Sequence, residues 1–249
     1  MHRGRVLALL TMPALLAGAA PIAGCAGRDE AEGEPPTGAE ALVLRLSELP
    51  GLLPPGGAAA LPPRFSLFGD GRLISVPAGS PTGWPHLRAD QVPPDGVRDL
   101  LHDAAALPEQ AAADGPDAPV VRVVVGSTRG RRTVTLPRTD PAAARLRAAL
   151  AGYGAGPAVP YQPTAVAIVA TPADPPEPAR PWPLPALTGE PLRGTAAGST
   201  CLVLRGADLE RVHREAATAG AGTRWSSAGR VWQVAPRPLL PDETGCADL

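Results

Sequence analysis

Residues 65–76 read FSLFGDGRLISV, and their reading decides the fold class. Two short runs rich in aromatic and aliphatic residues flank Asp70-Gly71, a dipeptide that favours the type I′ turn of a two-residue β-hairpin. Pairing about that turn sets Phe65 opposite Val76 and Leu67 opposite Ile74, one apolar face. Two other segments repeat the scheme. Around Arg129-Gly130, Val125 falls across from Val134 and Val123 across from Leu136, leaving Thr128, Arg131 and Arg132 at a polar tip. Around Ala228-Gly229, Trp225 falls across from Trp232 and Thr223 across from Val234, and a bulged loop there would slide the register by one.

Helices follow from a different period. Val97, Leu100, Leu101 and Ala104 recur at helical spacing between Asp95 and Leu107, with Pro108 beyond the end. Asp140 is placed to cap a helix that begins at Pro141, carries Leu146, Leu150 and Tyr153 on one face and stops at Gly154. A third helix spans Asp208 to Ala219, with Leu209, Val212 and Ala216 facing inward. Strands are expected at Leu42–Leu46, Cys201–Leu204 and Ala165–Ala170. Antiparallel hairpins with three helices packed on them predict an α+β fold.

The segments group into an α+β domain over 41–153, a Pro/Gly/Ala-rich connector over 154–199, and a β-α-β-hairpin module over 200–249. The connector, with its run TPADPPEPARPWPLPAL at 171–187, reads as an extended surface stretch with Trp182 docked. The tetrapeptide LVLR occurs at both 42–45 and 202–205, open to reading as a duplication or a coincidence. Whether 41–153 and 200–249 make one domain or two is also open.

The N-terminus carries its own signal. Arg3 and Arg5 precede an apolar run from Val6 to Ala20, and Ala23-Gly24 then precede Cys25, which together describe a secretory signal peptide over 1–24. The run is broken by Pro13 and is shorter than the ~20 residues of a spanning helix, so cleavage is expected. The stretch Ile22-Ala23-Gly24-Cys25 resembles the lipobox of bacterial lipoproteins, with Ile22 where that family usually has Leu. The resemblance implies a diacylglyceryl group on the Cys25 sulfur and a lipid-anchored mature chain at the outer face of the cytoplasmic membrane. Residues 25–40, small, acidic and Pro-bearing, read as a flexible tether.

Composition narrows the chemistry. Loss of residues 1–24 takes Arg3 and Arg5 from the 23 cations and nothing from the 24 carboxylates, leaving a formal charge near −3. That charge gives no electrostatic case for nucleic acid. Every basic residue is Arg, for Lys and Asn are both absent. A P-loop, a Schiff-base lysine and a Ser-x-x-Lys nucleophile are thereby excluded. This usage belongs to a very GC-rich genome. The stretches at 65–73 (FSLFGDGRL) and 237–243 (RPLLPDE) resemble uncharacterised secreted lipoproteins of high-GC Gram-positive bacteria, the actinobacteria, and that likeness implies no activity.

Candidate sites are few. With Cys25 taken by lipid, Cys201 and Cys246 remain in an exported chain, and an even number in an oxidising compartment predicts a disulfide. Prolines 236, 238 and 241 can carry the tail back toward the strand that Cys201 opens. Trp84 and His86, in the loop SPTGWPHLRAD, could line a ligand pocket. Trp225 and Trp232 read either as a buried cross-strand pair or as an aromatic platform for sugars. His102-Asp103 and His213 fit solvated helix faces, and the turn accounts for Asp70. No metal site and no cofactor is expected. The function expected is a non-enzymatic binding or scaffold module at the cell envelope, its partner an envelope protein or cell-wall glycan. The alternative is an envelope hydrolase using His86, His102 and Asp103 from the 84–103 region.

Overall fold

The computed structural model describes residues 34–53, 57–77, 84–108, 115, 117–154, 159–173, 179–192, 198–220 and 222–249. The signal peptide, Cys25 and most of the tether lie outside them. The fold is α+β, with thirteen strands in two sheets and four α-helices among the described residues.

The first sheet contains β1 (Leu42–Leu49), β2 (Phe65–Phe68), β3 (Arg72–Ser75), β4 (Leu87–Gln91), β5 (Val120–Ser127), β6 (Gly130–Pro137) and β7 (Val159–Tyr161). Its order is β6-β5-β1-β2-β3-β4-β7, antiparallel throughout. A short helix, α1 (Gly57–Ala60), lies between β1 and β2. The helices α2 (Pro94–Ala105) and α3 (Pro141–Tyr153) cover one face. Leu100, Ala104, Leu146 and Leu150 from these helices join Leu44, Leu46, Leu67, Val123 and Leu136 from the strands in one buried cluster. Asp140 caps α3 as its sequence predicts, its carboxylate accepting the Ala142 and Ala143 N–H groups at 2.8 and 3.1 Å.

The second sheet contains β8 (Ala165–Pro172), β9 (Arg180–Pro181), β10 (Glu190–Pro191), β11 (Thr200–Arg205), β12 (Arg224–Ser227) and β13 (Arg230–Pro238), in the order β10-β11-β8-β13-β12-β9. Among the described residues only β9 against β12 is parallel. The helix α4 (Gly206–Ala217) packs on it through Val212 and Ala216, over Val166, Ile168, Trp225 and Trp232. A final 3-10 turn spans Cys246–Asp248.

Several expectations need correction. The hairpin at Asp70 pairs Phe65 with Ser75 and Leu67 with Leu73, one residue away from the expected register. Gly71 N–H bonds the Phe68 carbonyl at 2.9 Å and Gly71 has φ +82°. The loop is therefore three residues long, a type I turn closed by a left-handed glycine. That shift separates the side chains. Phe65, Leu67 and Leu73 face the helices, while Phe68 and Ile74 are buried on the opposite face.

At β5–β6 the turn is Thr128-Arg129, so Val123 pairs with Val134 and Val121 with Leu136. A slide of two positions keeps the same side chains inward, because the strand period is two. The third register, Trp225 against Trp232, is as the sequence predicts. The stretch 154–199 is more than a surface connector, for β8 lies near the middle of the second sheet and is buried from Ala165 to Ala170. Residues 34–40, read as tether, lie on the first sheet: Glu34 C=O accepts the Thr128 N–H at 3.1 Å and Gly69 N–H donates to Ala41 C=O at 2.8 Å.

An irregularity in β1 decides which way its side chains point. The strand pairs Leu42 with Phe68 and then Leu44 with Leu67, so Val43 is an extra residue, a β-bulge. Past it the alternation is inverted. Val43, Leu44 and Leu46 all point to the helices, and Arg45 points to the opposite face.

Candidate functional site

That opposite face receives the C-terminal tail. Leu240 packs with Leu42, Phe68, Ile74 and Leu87 of the first sheet, and the adjacent Leu239 packs with Ala165, Ala167 and Cys201 of the second. Polar groups between them are paired. Arg237, buried at the end of β13, donates through both terminal nitrogens to Glu243 at 2.9 and 2.8 Å, a bidentate pair. The Leu240 N–H donates to Glu243 as well, at 2.8 Å.

Arg45 reaches the same place from β1, 2.6 Å from Asp242 and 3.1 Å from Glu243, with its Nε donating to the Ser66 hydroxyl at 3.2 Å. Arg131 meets Asp242 at 3.1 Å. The Asp242 and Glu243 side chains are 3% and 2% exposed. Two buried carboxylates held by three guanidiniums form a structural joint, since every carboxylate oxygen already faces an arginine.

The second LVLR stretch contributes too. Arg205 donates to the Thr244 carbonyl at 2.8 Å, so the arginines that end the two copies grip neighbouring residues of the tail, Arg45 at 242 and 243 and Arg205 at 244. Cys246 is bonded to Cys201, with Cα atoms 6.0 Å apart, as the cysteine count predicts. Asp248 closes the tail: backbone and hydroxyl of Thr244 donate to its carboxylate at 2.7 and 3.0 Å and hold it below the usual carboxylate range, with the Gly245 N–H adding to this. Burial pushes the nearby Tyr161 phenol up; Arg72 opposes this and Glu243 adds to it.

The candidates named from sequence scatter. Trp84 is buried and its ring lies 4.7 Å from that of His213 on α4, whereas His86, two residues on, is exposed. Trp84 and His86 thus diverge instead of lining one pocket. His102 and Asp103 are exposed on α2. Trp225 and Trp232 are 5% and 4% exposed, a buried cross-strand pair and not an open platform. Trp182, docked as expected, meets Trp225 edge-on with centroids 5.5 Å apart, and Arg180 lies over the Trp225 ring.

Beneath α4, Trp182, Val212, Ala216 and Trp225 line a cavity of about 20 Å³, room for one water. Among the described residues no group of three or more His, Cys, Asp or Glu could hold a metal ion, and no helix is long and apolar enough to cross a membrane.

Sequence reasoning missed the five-charge joint. Its signal was the isolated Asp242-Glu243 pair behind two leucines bracketed by prolines, a charged pair in an otherwise apolar run. In comparisons with known proteins, no family model, no curated protein and no solved structure matches the chain.

Proposed function

We propose that the chain is an extracytoplasmic lipoprotein, held on the outer face of the cytoplasmic membrane by a lipid on Cys25. There it serves as a non-enzymatic binding or scaffold module for an envelope protein or cell-wall glycan. The observation that carries this reading is the cysteine pairing. Cys201 and Cys246 are bonded to each other, which suits an oxidising compartment, and the third cysteine stands alone behind Ala23-Gly24.

A scaffold role is supported by where the buried charge is spent. Arg45, Arg237, Asp242 and Glu243 fasten the tail to both sheets, while His86, His102 and Asp103 are exposed on a loop and a helix. The two stretches that carry the likeness to secreted actinobacterial lipoproteins meet in this joint, Phe68 of the first packing with Leu240 of the second.

The test is metabolic labelling with a clickable fatty acid, followed by fractionation. The wild-type chain is expected to carry label in the membrane fraction, and Cys25→Ser to lose it and either stay uncleaved or leave the membrane. A cleaved, unlabelled Cys25→Ser chain retained as well as wild type would overturn the reading.

A further inference from the structure

Among the described residues the two sheets end in four edge strands, β6 and β7 on the first and β9 and β10 on the second. An open edge is a row of unpaired backbone groups, which chains blunt with brevity or proline. Three of these edges are blunted in that way: β7 has three residues with Pro160 in its middle, and β9 and β10 have two each, ending in Pro181 and Pro191. β6 differs. It has eight residues, and its one proline, Pro137, comes last.

Register shows which groups of β6 are left over. The Arg138 N–H bonds the Pro119 carbonyl at 3.0 Å, in line with the ladder that pairs Val120 with Pro137 and Ser127 with Gly130. Bonding alternates along an antiparallel strand, so the even-numbered residues from 130 to 136 bond β5. Arg131, Thr133 and Thr135 therefore turn their N–H and C=O groups outward, and all three residues are exposed. Among the described residues none bonds to those outward groups.

Arginine often guards an edge, yet both arginines of β6 are engaged within their own fold. Arg131 meets Asp242 at 3.1 Å, the carboxylate that Arg45 reaches from β1, so its side chain runs inward over β5. Arg132 donates to the Ala104 carbonyl on α2 at 2.9 Å.

We propose that β6 pairs antiparallel with β6 of a second copy of this chain, joining two first sheets edge to edge about a two-fold axis. The sequence of the strand selects one register. Centred on Thr133, the pairing sets Thr133 against its own copy, a favourable cross-strand pair, and Arg131 against Thr135. Every outward group of both strands is then used, and on the helix face Arg132 meets Val134 of the second copy. Centring on Arg132 would set that arginine against itself, a like-charge pair. Centring on Val134 would set Arg131 against Pro137, which has no N–H to give.

The test uses residues 25–249 with Cys25→Ser, which keeps every described residue. It does not depend on lipid at Cys25, so its outcome is separate from that of fatty-acid labelling. In the proposed pair the two Thr133 Cα atoms lie about 5.5 Å apart, within the reach of a disulfide. The two Thr135 Cα atoms lie ~15 Å apart, out of reach.

The chain should sediment as a dimer, and Thr133→Lys, which sets two ammonium groups face to face, should weaken that dimer roughly fivefold. On mild oxidation Thr133→Cys should give a covalent dimer roughly tenfold faster than Thr135→Cys. A monomer in sedimentation would overturn the proposal, as would a dimer indifferent to Thr133→Lys or equal cross-linking by the two cysteine variants. Recovery of Thr133→Cys from cells joined to a different protein, and not to itself, would assign the edge to another occupant and overturn it too.

Discussion

Arg45 and Asp242, 197 positions apart in the chain, meet at 2.6 Å. The first belongs to the third strand of a seven-stranded sheet and the second to the tail that leaves the other sheet. Their pair, with Glu243 and Arg237, makes one unit of what hairpin patterning presents as two modules.

Removing one partner of this joint leaves a charge buried without compensation. Glu243→Gln should therefore cost about 3–5 kcal/mol, because Arg237 keeps its guanidinium in a site with little access to water. Replacing the pair together, Arg237→Met with Glu243→Leu, should cost less than the single change. Urea titration followed by tryptophan fluorescence measures both, and equal losses would show that burial of the charge is not the source of the effect.

The disulfide closes a loop of 45 positions. Constraint of the unfolded chain by such a loop is worth about 4 kcal/mol in the entropy model. Cys246→Ser should lower the unfolding midpoint accordingly, and non-reduced peptide mapping of the wild-type protein should recover the Cys201 and Cys246 peptides joined.

Glycines separate by what surrounds them. Gly126→Ala has no room for its methyl against the Leu42 carbonyl; it should push the start of β1 away from β5 and speed hydrogen exchange along that ladder. Gly152→Ala, exposed in α3 with nothing within 4 Å of the new carbon, should stabilise the protein by roughly 0.5–1 kcal/mol. Thermal melts of the two variants are expected to move in opposite directions.

The turn at Ala228-Gly229 takes positive φ at both residues, +49° and +72°. Alanine rarely accepts that geometry and asparagine accepts it readily. Ala228→Asn should raise stability by up to about 1 kcal/mol, read as a higher melting temperature with the Trp225–Trp232 register unchanged.

That same turn explains why the Trp225–Trp232 pairing was legible in sequence. Its two-residue loop is the simplest case, and the pairing arithmetic follows from it. The loop at Asp70 was not legible to the residue, because two-residue and three-residue hairpins can both end in glycine, and the difference lies in the Phe68–Gly71 hydrogen bond. β8 was harder for another reason. Ala165 to Ala170 is apolar on both sides, so it lacks the alternation that marks a half-buried strand. The joint at Arg45, Arg131, Arg237, Asp242 and Glu243 depends on contacts across most of the chain, and on a bulge at Val43 that no local pattern announces.

The position of the tail sets an order of events during folding. Leu42, Phe68, Ile74 and Leu87 share their buried cluster with Leu240, and residue 240 follows every strand of both sheets in the chain. Until the tail docks, the first sheet lacks that apolar cover, and a chaperone or a neighbouring chain can reach the face. A stop codon in place of Leu240 would spare every strand and α-helix of the two sheets, yet deprive the molecule of its closing step.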